Sequence, residues 1–255
     1  DDHADLVRSA LAGAGVADAL LVRPGAATAA SLVLGTPDGE RTIVNAMPDA
    51  LRGPLAPAEA EALRADVAAA DAVLADVRWP AAAALALAAA RAAGIPGVLD
   101  LDRAPVAEHR LLLGLVRAAS HVAASRDGLD DLLAATGSPA RTEPDPGPAL
   151  AALHALTEDA VVLVTRGADG AAWWEPGPDV GVRTAAAPAV AVVETLGAGD
   201  VWHGALAAGL AAGRTVAVAV ADANAAAALR CTRRGGWETL ADAAEVAALS
   251  DEERT

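Results

Sequence analysis

The sequence predicts one α/β domain spanning residues 1–255, with a mainly parallel sheet, helices on both faces and a small antiparallel flap near residues 19–46. Three observations carry that prediction. From about Pro57 onward, helical and strand-like segments alternate in the βαβα rhythm of a parallel sheet. Before it, two extended apolar segments flank "TPDGE", and an Asp38-Gly39 pair between such runs is a strong hairpin signal. Finally, 255 residues, 54% of them apolar, suffice to bury one full core. Phe and Tyr are absent and five Trp are the only aromatics, so the core must be built from Ala, Val and Leu, which suits closely packed helices over a sheet.

The elements follow in order. "DLVRSALAGAG" reads as a helix, and "ALLVRPG" with "AASLVLGTPDGERTIVN" supplies the extended segments of the flap. "PAEAEALRADVAAA" is a helix, "DAVLADV" a short buried strand, and "PAAAALALAAARAAG" a helix opened by Pro80 and closed by Gly94. "GVLDLD" is a strand, "VAEHRLLLGLVRAA" a helix, "HVAAS" a strand and "DGLDDLLAATG" a helix ending at Gly137. The Pro-rich polar stretch "TGSPARTEPDPGP" reads as a surface loop. After it come the helix "ALAALHAL" and the strand "AVVLVTRG". "GAAWWEPG" and "VGVRTAAAP" form an antiparallel pair joined at Pro176 to Pro178. "AVAVVETLGAGD" is expected to return to the sheet, with helices to the end.

Composition excludes several function classes. A net charge of −15 argues against nucleic-acid or anionic-membrane partners, whose affinity rests on positive charge. Lysine is absent, so a Walker-type phosphate loop is excluded, and a phosphate ligand must be met by backbone amides, arginine or a metal. The single cysteine, Cys231, sits in an Ala-rich helical stretch and reads as a small core residue. One cysteine rules out an internal disulfide framework, and with no secretory signal read at the start a reducing cytoplasmic setting is expected. No apolar run is long and unbroken enough to span a bilayer.

The stretch "VVETLGAGDVWHG" carries the chemistry. Two glycines around one small residue let a backbone approach a ligand, and amides at a helix N-terminus then point towards it, which describes a cradle for an anion. The alternative is an ordinary strand-to-helix turn with Asp200 as an N-cap or first-turn acid. About thirty residues earlier, "VTRGADGAAWW" places Thr165, Gly167 and Gly170 at a strand end, and "DANAAAALRCTRRGG" follows as a late helix.

Together these segments resemble the ribokinase-like carbohydrate kinases, the family that includes the minor bacterial phosphofructokinase. The second family signature reads here as Glu194, Thr195, Leu196, Gly197, Ala198, Gly199, Asp200, Trp202 and Gly204. "GERTIVN" is similar to the flap strand, "ARAAGIPGVLDLDR" to the central strand after a helix, and "ASHVAASRDGLDDLL" to the segment near the metal. The resemblance implies a three-layer ribokinase-like fold and ATP-dependent phosphorylation of a sugar or related hydroxylated metabolite. A sugar hydroxyl would attack the γ-phosphate of ATP, Asp200 would take its proton, and the amides of Gly197, Ala198 and Gly199 would form the anion hole. It also implies nucleotide contacts from Thr165, Gly167, Gly170 and Thr195, with Asn224 walling the adenine pocket or simply exposed. Mg²⁺ on the nucleotide is implied too, with Glu194 nearby. A β-branched residue at Gly199 is expected to block the phosphate and to clash with the backbone angles there. His203 reads as a packing or substrate-adjacent residue, Trp202 as core, and Arg166 as a solvated loop cation or a phosphate contact.

Within the family, "GERTIVN" and "LRCTRRGGWETL" look closest to bacterial sugar kinases related to ribokinase and to the kinase of sulfofructose. Arg41 and Asn45 would then face the sugar pocket from the flap, and the flap would pair two subunits into a homodimer. Three departures stand out. Glu194 replaces an aspartate, and Ser125 and Gly128 stand where an asparagine and a glutamate near Mg²⁺ are common. Asp1-Asp2 resembles the end of a "Gly-Asp-Asp" element, so about fifty preceding residues, including part of the sugar pocket, are expected to be missing from this chain. A non-catalytic nucleotide-binding or dimerisation module is the alternative, and a dinucleotide-binding oxidoreductase is disfavoured because no G-x-G-x-x-G follows an early strand.

Overall fold

The computed structural model describes residues 1–35, 41–103, 109–177 and 181–252. The "TPDGE" turn therefore lies outside the described residues, as does the Arg41 side chain. Helix α1 (Asp2–Gly13) precedes a two-stranded antiparallel ribbon, β1 (Ala30–Gly35) and β2 (Arg41–Ala46), in which Leu32 faces Val44 and Val33 faces Ile43. The body continues as α2 (Pro57–Ala68), β3 (Val73–Ala75), α3 (Pro80–Ala93), β4 (Gly97–Leu101), α4 (His109–Ala118), β5 (His121–Ser125) and α5 (Arg126–Ala135). It ends with α6 (Gly147–His154), β6 (Val161–Thr165), β7 (Ala171–Trp174), β8 (Val182–Ala185), α7 (Ala198–Ala211), α8 (Val216–Cys231) and α9 (Ala243–Glu252).

The six strands β3 to β8 lie side by side in chain order, parallel from β3 to β6 and antiparallel from β6 to β8. Right-handed crossovers that step across the sheet in one direction place their helices on one face. Accordingly Leu99, Leu101, Val122, Ala124, Val162 and Val164 pack under α3 to α6, against residues such as Leu87, Leu115, Leu129 and Leu150. Their alternating neighbours Val98, Ala123, Leu163, Ala171 and Trp173 face α7 and α8. The result is the three-layer α/β fold the sequence predicts.

The side chains match the composition. The largest fully buried ones are all leucines. On the α7/α8 face Ala207, Ala219 and Ala223 pack among Trp202, Leu206 and Val220, and a Cβ at Gly209 would stand 2.9 Å from Ala219 Cβ, so the two helices approach at a point where only hydrogen fits.

Two expectations fail. Residues 189–197 form no strand, although their β-branched run suggests one. Pro188 offers no N–H, and the amides of Val193 and Glu194 both donate to Cys231 O at the end of α8, 2.8 and 3.1 Å away. Likewise residues 19–29 run irregularly, so the flap strands begin only at Ala30. There Arg23 pairs with Glu59 and lies over the Trp79 ring, 5.4 Å from its centroid, which ties the segment to α2 and α3.

Candidate active site

The C-terminal ends of the parallel strands and the N-terminus of α7 meet at one edge of the sheet, where ligands of open α/β sheets bind. Gly197 precedes α7 with φ +76°, a left-handed conformation in which a glycine is the natural occupant. Its carbonyl accepts from Val201 N at 3.0 Å, and the Ala198 amide donates to Thr195 O at 3.2 Å. That amide is therefore turned into the local bend, and the remaining first-turn amides are the ones that have no acceptor within a helix. Gly199 lies inside α7 with ordinary helical backbone and nothing within 4 Å of a Cβ built on it. The conformational demand expected at Gly199 thus belongs to Gly197, while Gly199 contributes open space.

Asp200 follows on the exposed side of that first turn. A cavity of about 600 Å³ beside β3, α2 and α3 is lined by Asp200 together with Asp76, Asp100 and His203. A second, of about 780 Å³ between α7, α8 and α9, is lined by Asp200 with Gly197, Arg230, Gly235 and Trp237. Among the described residues Asp200 is the one common to both linings.

Asp100 and His203 form the floor between α7 and the sheet. The register puts Asp100 beside Ala123 on the α7 face, so this acid projects from an otherwise apolar strand. His203 is buried, with Nδ1 2.8 Å from Gly199 O and 3.4 Å from Asp100 Oδ2, and Nε2 3.3 Å from Ala123 O. The ring therefore fastens the first turn of α7 to β4 and β5. Burial pushes the Asp100 carboxyl up to about 6; His203 opposes the rise, and Asp102, Asp200 and Asp76 add to it.

The other predicted residues fall in separate places. Thr165 ends β6, its hydroxyl donating to Ala124 O at 3.4 Å. Gly167 (φ +61°) faces open space, whereas a Cβ at Gly170 (φ +77°) would stand 2.0 Å from Ala185 O. Gly170 is thus required where the 167–170 turn passes under the end of β8. Arg166 lies 3.9 Å from Glu143, and its buried Nε has no hydrogen-bond partner among the described residues. Thr195 is exposed and holds the Ala198 amide. Asn45 is exposed on the ribbon, accepting from Ser31 Oγ at 2.7 Å. Neither cavity lining includes Thr165, Gly167, Gly170, Asn45 or Asn224.

Asn224 is buried rather than exposed. Its Oδ1 accepts from Trp202 Nε1 at 2.8 Å, and its Nδ2 donates to Ala185 O and Ala186 O at 3.1 and 3.0 Å. Those bonds clamp α8 to α7 and to the sheet edge. Glu194 accepts from the Gly235 amide at 3.3 Å and from Arg230 at 3.2 Å, and these two contacts hold its carboxyl below the ordinary range. Ser125 caps α5, accepting from Gly128 N at 3.1 Å and donating to Asp102 Oδ1 at 3.0 Å. A Cβ at Gly128 would meet Leu101 O at 2.6 Å, so this backbone has no room for a glutamate there. Sequence reasoning missed Asp100 and Arg230. The signal for the first was an acid at an inward position of a buried strand; for the second there was none.

A sequence model of the pfkB family carbohydrate kinases matches residues 1–243. The chain belongs to that family. This pfkB-family chain is therefore a carbohydrate kinase by descent. It is 34% identical to a protein of Agrobacterium tumefaciens proposed to be a ribokinase, with a TM-score of 0.83 over 98% of this chain and 76% of that one. The fold alone is shared with two more distant structures. One is a ribokinase of Cryptococcus neoformans bound to ADP, with 24% identity and a TM-score of 0.73 over 98% of this chain and 80% of that one. The other is a ribokinase of Arabidopsis thaliana bound to ribose and ATP, with 23% identity and a TM-score of 0.67 over 86% and 68%. No helix among the described residues is long and apolar enough to cross a membrane.

Proposed function

We propose that this kinase transfers the γ-phosphate of ATP to a hydroxyl of a neutral sugar or related polyol, with Asp200 as general base. The observation that carries this reading is the position of Asp200 on the linings of both cavities. A base there can accept a proton from an acceptor hydroxyl in the smaller cavity while facing a nucleotide in the larger one. The first-turn amides and the positive end of α7 supply stabilisation where charge develops on the transferred group. This needs no lysine, in keeping with a chain that has none.

The acceptor is read as neutral because Glu59, Asp66, Asp76, Asp100 and Asp200 line the smaller cavity and, among the described residues, no arginine does. An anionic substituent would meet repulsion there, which disfavours a sulfonated sugar. Thr165, Gly167, Gly170 and Thr195 are retained as the nucleotide side of the reading, Gly170 and Asn224 acting by shaping the 185–187 backbone. Among the described residues no three His, Cys, Asp or Glu side chains gather into a metal cage. That suits Mg²⁺, which is usually held by one or two carboxylates together with phosphate oxygens and water. Bound in that way it would neutralise phosphate charge, and the chain's task would be to orient the two substrates. The ribbon, with Leu32, Leu34, Ile43 and Val44 exposed, is read as the face that pairs two subunits.

The test is Asp200→Asn, assayed by ADP release with a panel of neutral sugars, alongside calorimetry with a non-hydrolysable ATP analogue. Turnover should fall on the order of a hundredfold to ten-thousandfold while analogue affinity stays nearly unchanged. Retained turnover would remove Asp200 from the role of base. Analogue binding by the unmutated chain without turnover on any sugar would favour a non-catalytic nucleotide-binding module.

A further inference from the structure

Arg230 is a charged side chain almost wholly out of water, its side chain 5% exposed, and among the described residues the other ion-paired arginines are more accessible. Such a charge persists only where paired and fully hydrogen-bonded. Its partners are Arg233 O at 2.7 Å, Gly235 O at 2.9 Å and Glu194 Oε2 at 3.2 Å. Two backbone carbonyls and a carboxylate thus enclose the guanidinium. Glu194 also takes the Gly235 amide, so the cage joins the last turn of α8, the loop after it and the segment that leads into Gly197.

The cage lies against the candidate phosphate site. A Cβ at Gly197 would stand 3.9 Å from Arg230 Nε, and Arg230 shares the larger cavity with Gly197 and Asp200. The other arginine on that lining, Arg214, is ion-paired with buried Asp222.

We propose that Arg230 is a positioning residue: a resident cation, caged by Glu194 and the carbonyls of Arg233 and Gly235, that sets the Gly197 turn and offsets negative charge beside it. This rests on the reading of the Gly197–Asp200 turn as a phosphate cradle. Glu194 accordingly faces a guanidinium, not a metal ion. Removing the guanidinium does two things at once: it frees the 233–236 loop, and it leaves Glu194 uncompensated three residues before the turn. Both weaken the binding of a polyanion there. Neither touches the proton transfer assigned to Asp200.

The experiment is calorimetric titration of the whole chain with a non-hydrolysable ATP analogue, comparing Arg230→Ala with the unmutated protein. Affinity should fall about tenfold or more, the scale of one charge-assisted hydrogen-bond partner. Millimolar guanidinium should recover a large part of the loss, and urea, which is planar and similar in size but neutral, should not. Arg230→Lys, which keeps a charge able to reach the carbonyls, should bind more tightly than Arg230→Met, and this comparison decides the matter if the alanine variant fails to fold. Equal affinity of Arg230→Ala and the unmutated chain, equal rescue by urea, or equal binding by the Lys and Met variants would overturn the proposal. Failure of the unmutated chain to bind the analogue would instead overturn the reading of the cradle itself.

Discussion

Asp100→Asn should stabilise the protein, and only above mildly acidic pH. The Asp100 carboxyl titrates at about 6 in the folded chain against 3.8 ordinarily, chiefly because burial disfavours its charge. Between about pH 4 and pH 6 the folded state therefore holds a proton that the unfolded state releases. The stability that this group contributes is fully present below the unfolded value and is lost as pH rises through the folded one. A displacement of that size corresponds to about 3 kcal/mol between the two protonation states. Asparagine keeps the shape and does not titrate. Urea unfolding of both proteins across pH 3.5–8 should show a stability difference that is flat below about pH 4, grows in favour of the variant to about pH 6, and levels off about 3 kcal/mol higher. Loss of the negative partner of His203 reduces that gain at the upper end. Glu59, Glu194, Glu238 and Glu245, whose carboxyls hydrogen bonds hold below the ordinary range, act in the opposite sense but cancel in the difference. A difference that does not change with pH, or one that turns against the variant as pH rises, would refute the argument.

Gly170→Ala combines a left-handed backbone with a Cβ 2.0 Å from Ala185 O, so it should cost about 3 kcal/mol or more and lower Tm by roughly 6–12 °C in a calorimetric scan; an unchanged Tm would mean that the 185–187 segment yields freely. The exposed ribbon should make the protein a dimer in sedimentation equilibrium, and Leu32→Glu should shift it towards monomer, while an unmutated chain that stays monomeric at high concentration would sink the pairing role.

The layered body was legible because its signals are local. Pro80 and Gly94 bracket α3 as a helix opener and a left-handed cap should, and the alternation of Val98, Leu99 and Leu101 shows which residues face which layer once the strands are parallel. What failed was non-local. The run Val190 to Val193 has strand propensity, yet a strand needs a partner edge, and the amides of Val193 and Glu194 go instead to the Cys231 carbonyl, some forty residues later. Asn224 reads in isolation as a wall of the adenine pocket or as an exposed position. On a helix whose neighbours Ala223, Ala225 and Ala226 are all buried, it could only be a satisfied core amide, and its donor lies on α7 while its acceptors lie at the end of β8 and just beyond it. At the candidate site, the turn and Asp200 stand out by residue type and spacing. The cage around Arg230 did not, since it is made mostly of carbonyls that every residue possesses.

Asp100 shows why such a site costs stability. An acid at that register position could be exchanged for an apolar residue with a gain to the core, as Val98 and Leu163 on the same face illustrate. It stands instead 3.4 Å from His203, whose same ring nitrogen lies 2.8 Å from the carbonyl of Gly199. That contact helps hold the imidazole where its Nδ1 meets the Gly199 carbonyl, and so steadies the first turn of α7, which carries Asp200. Folding alone would favour the proton staying on Asp100 up to about pH 6. Above that pH the carboxylate is ionised, so the acid that makes the fold weaker at neutral pH is the one that steadies the turn carrying the proposed base.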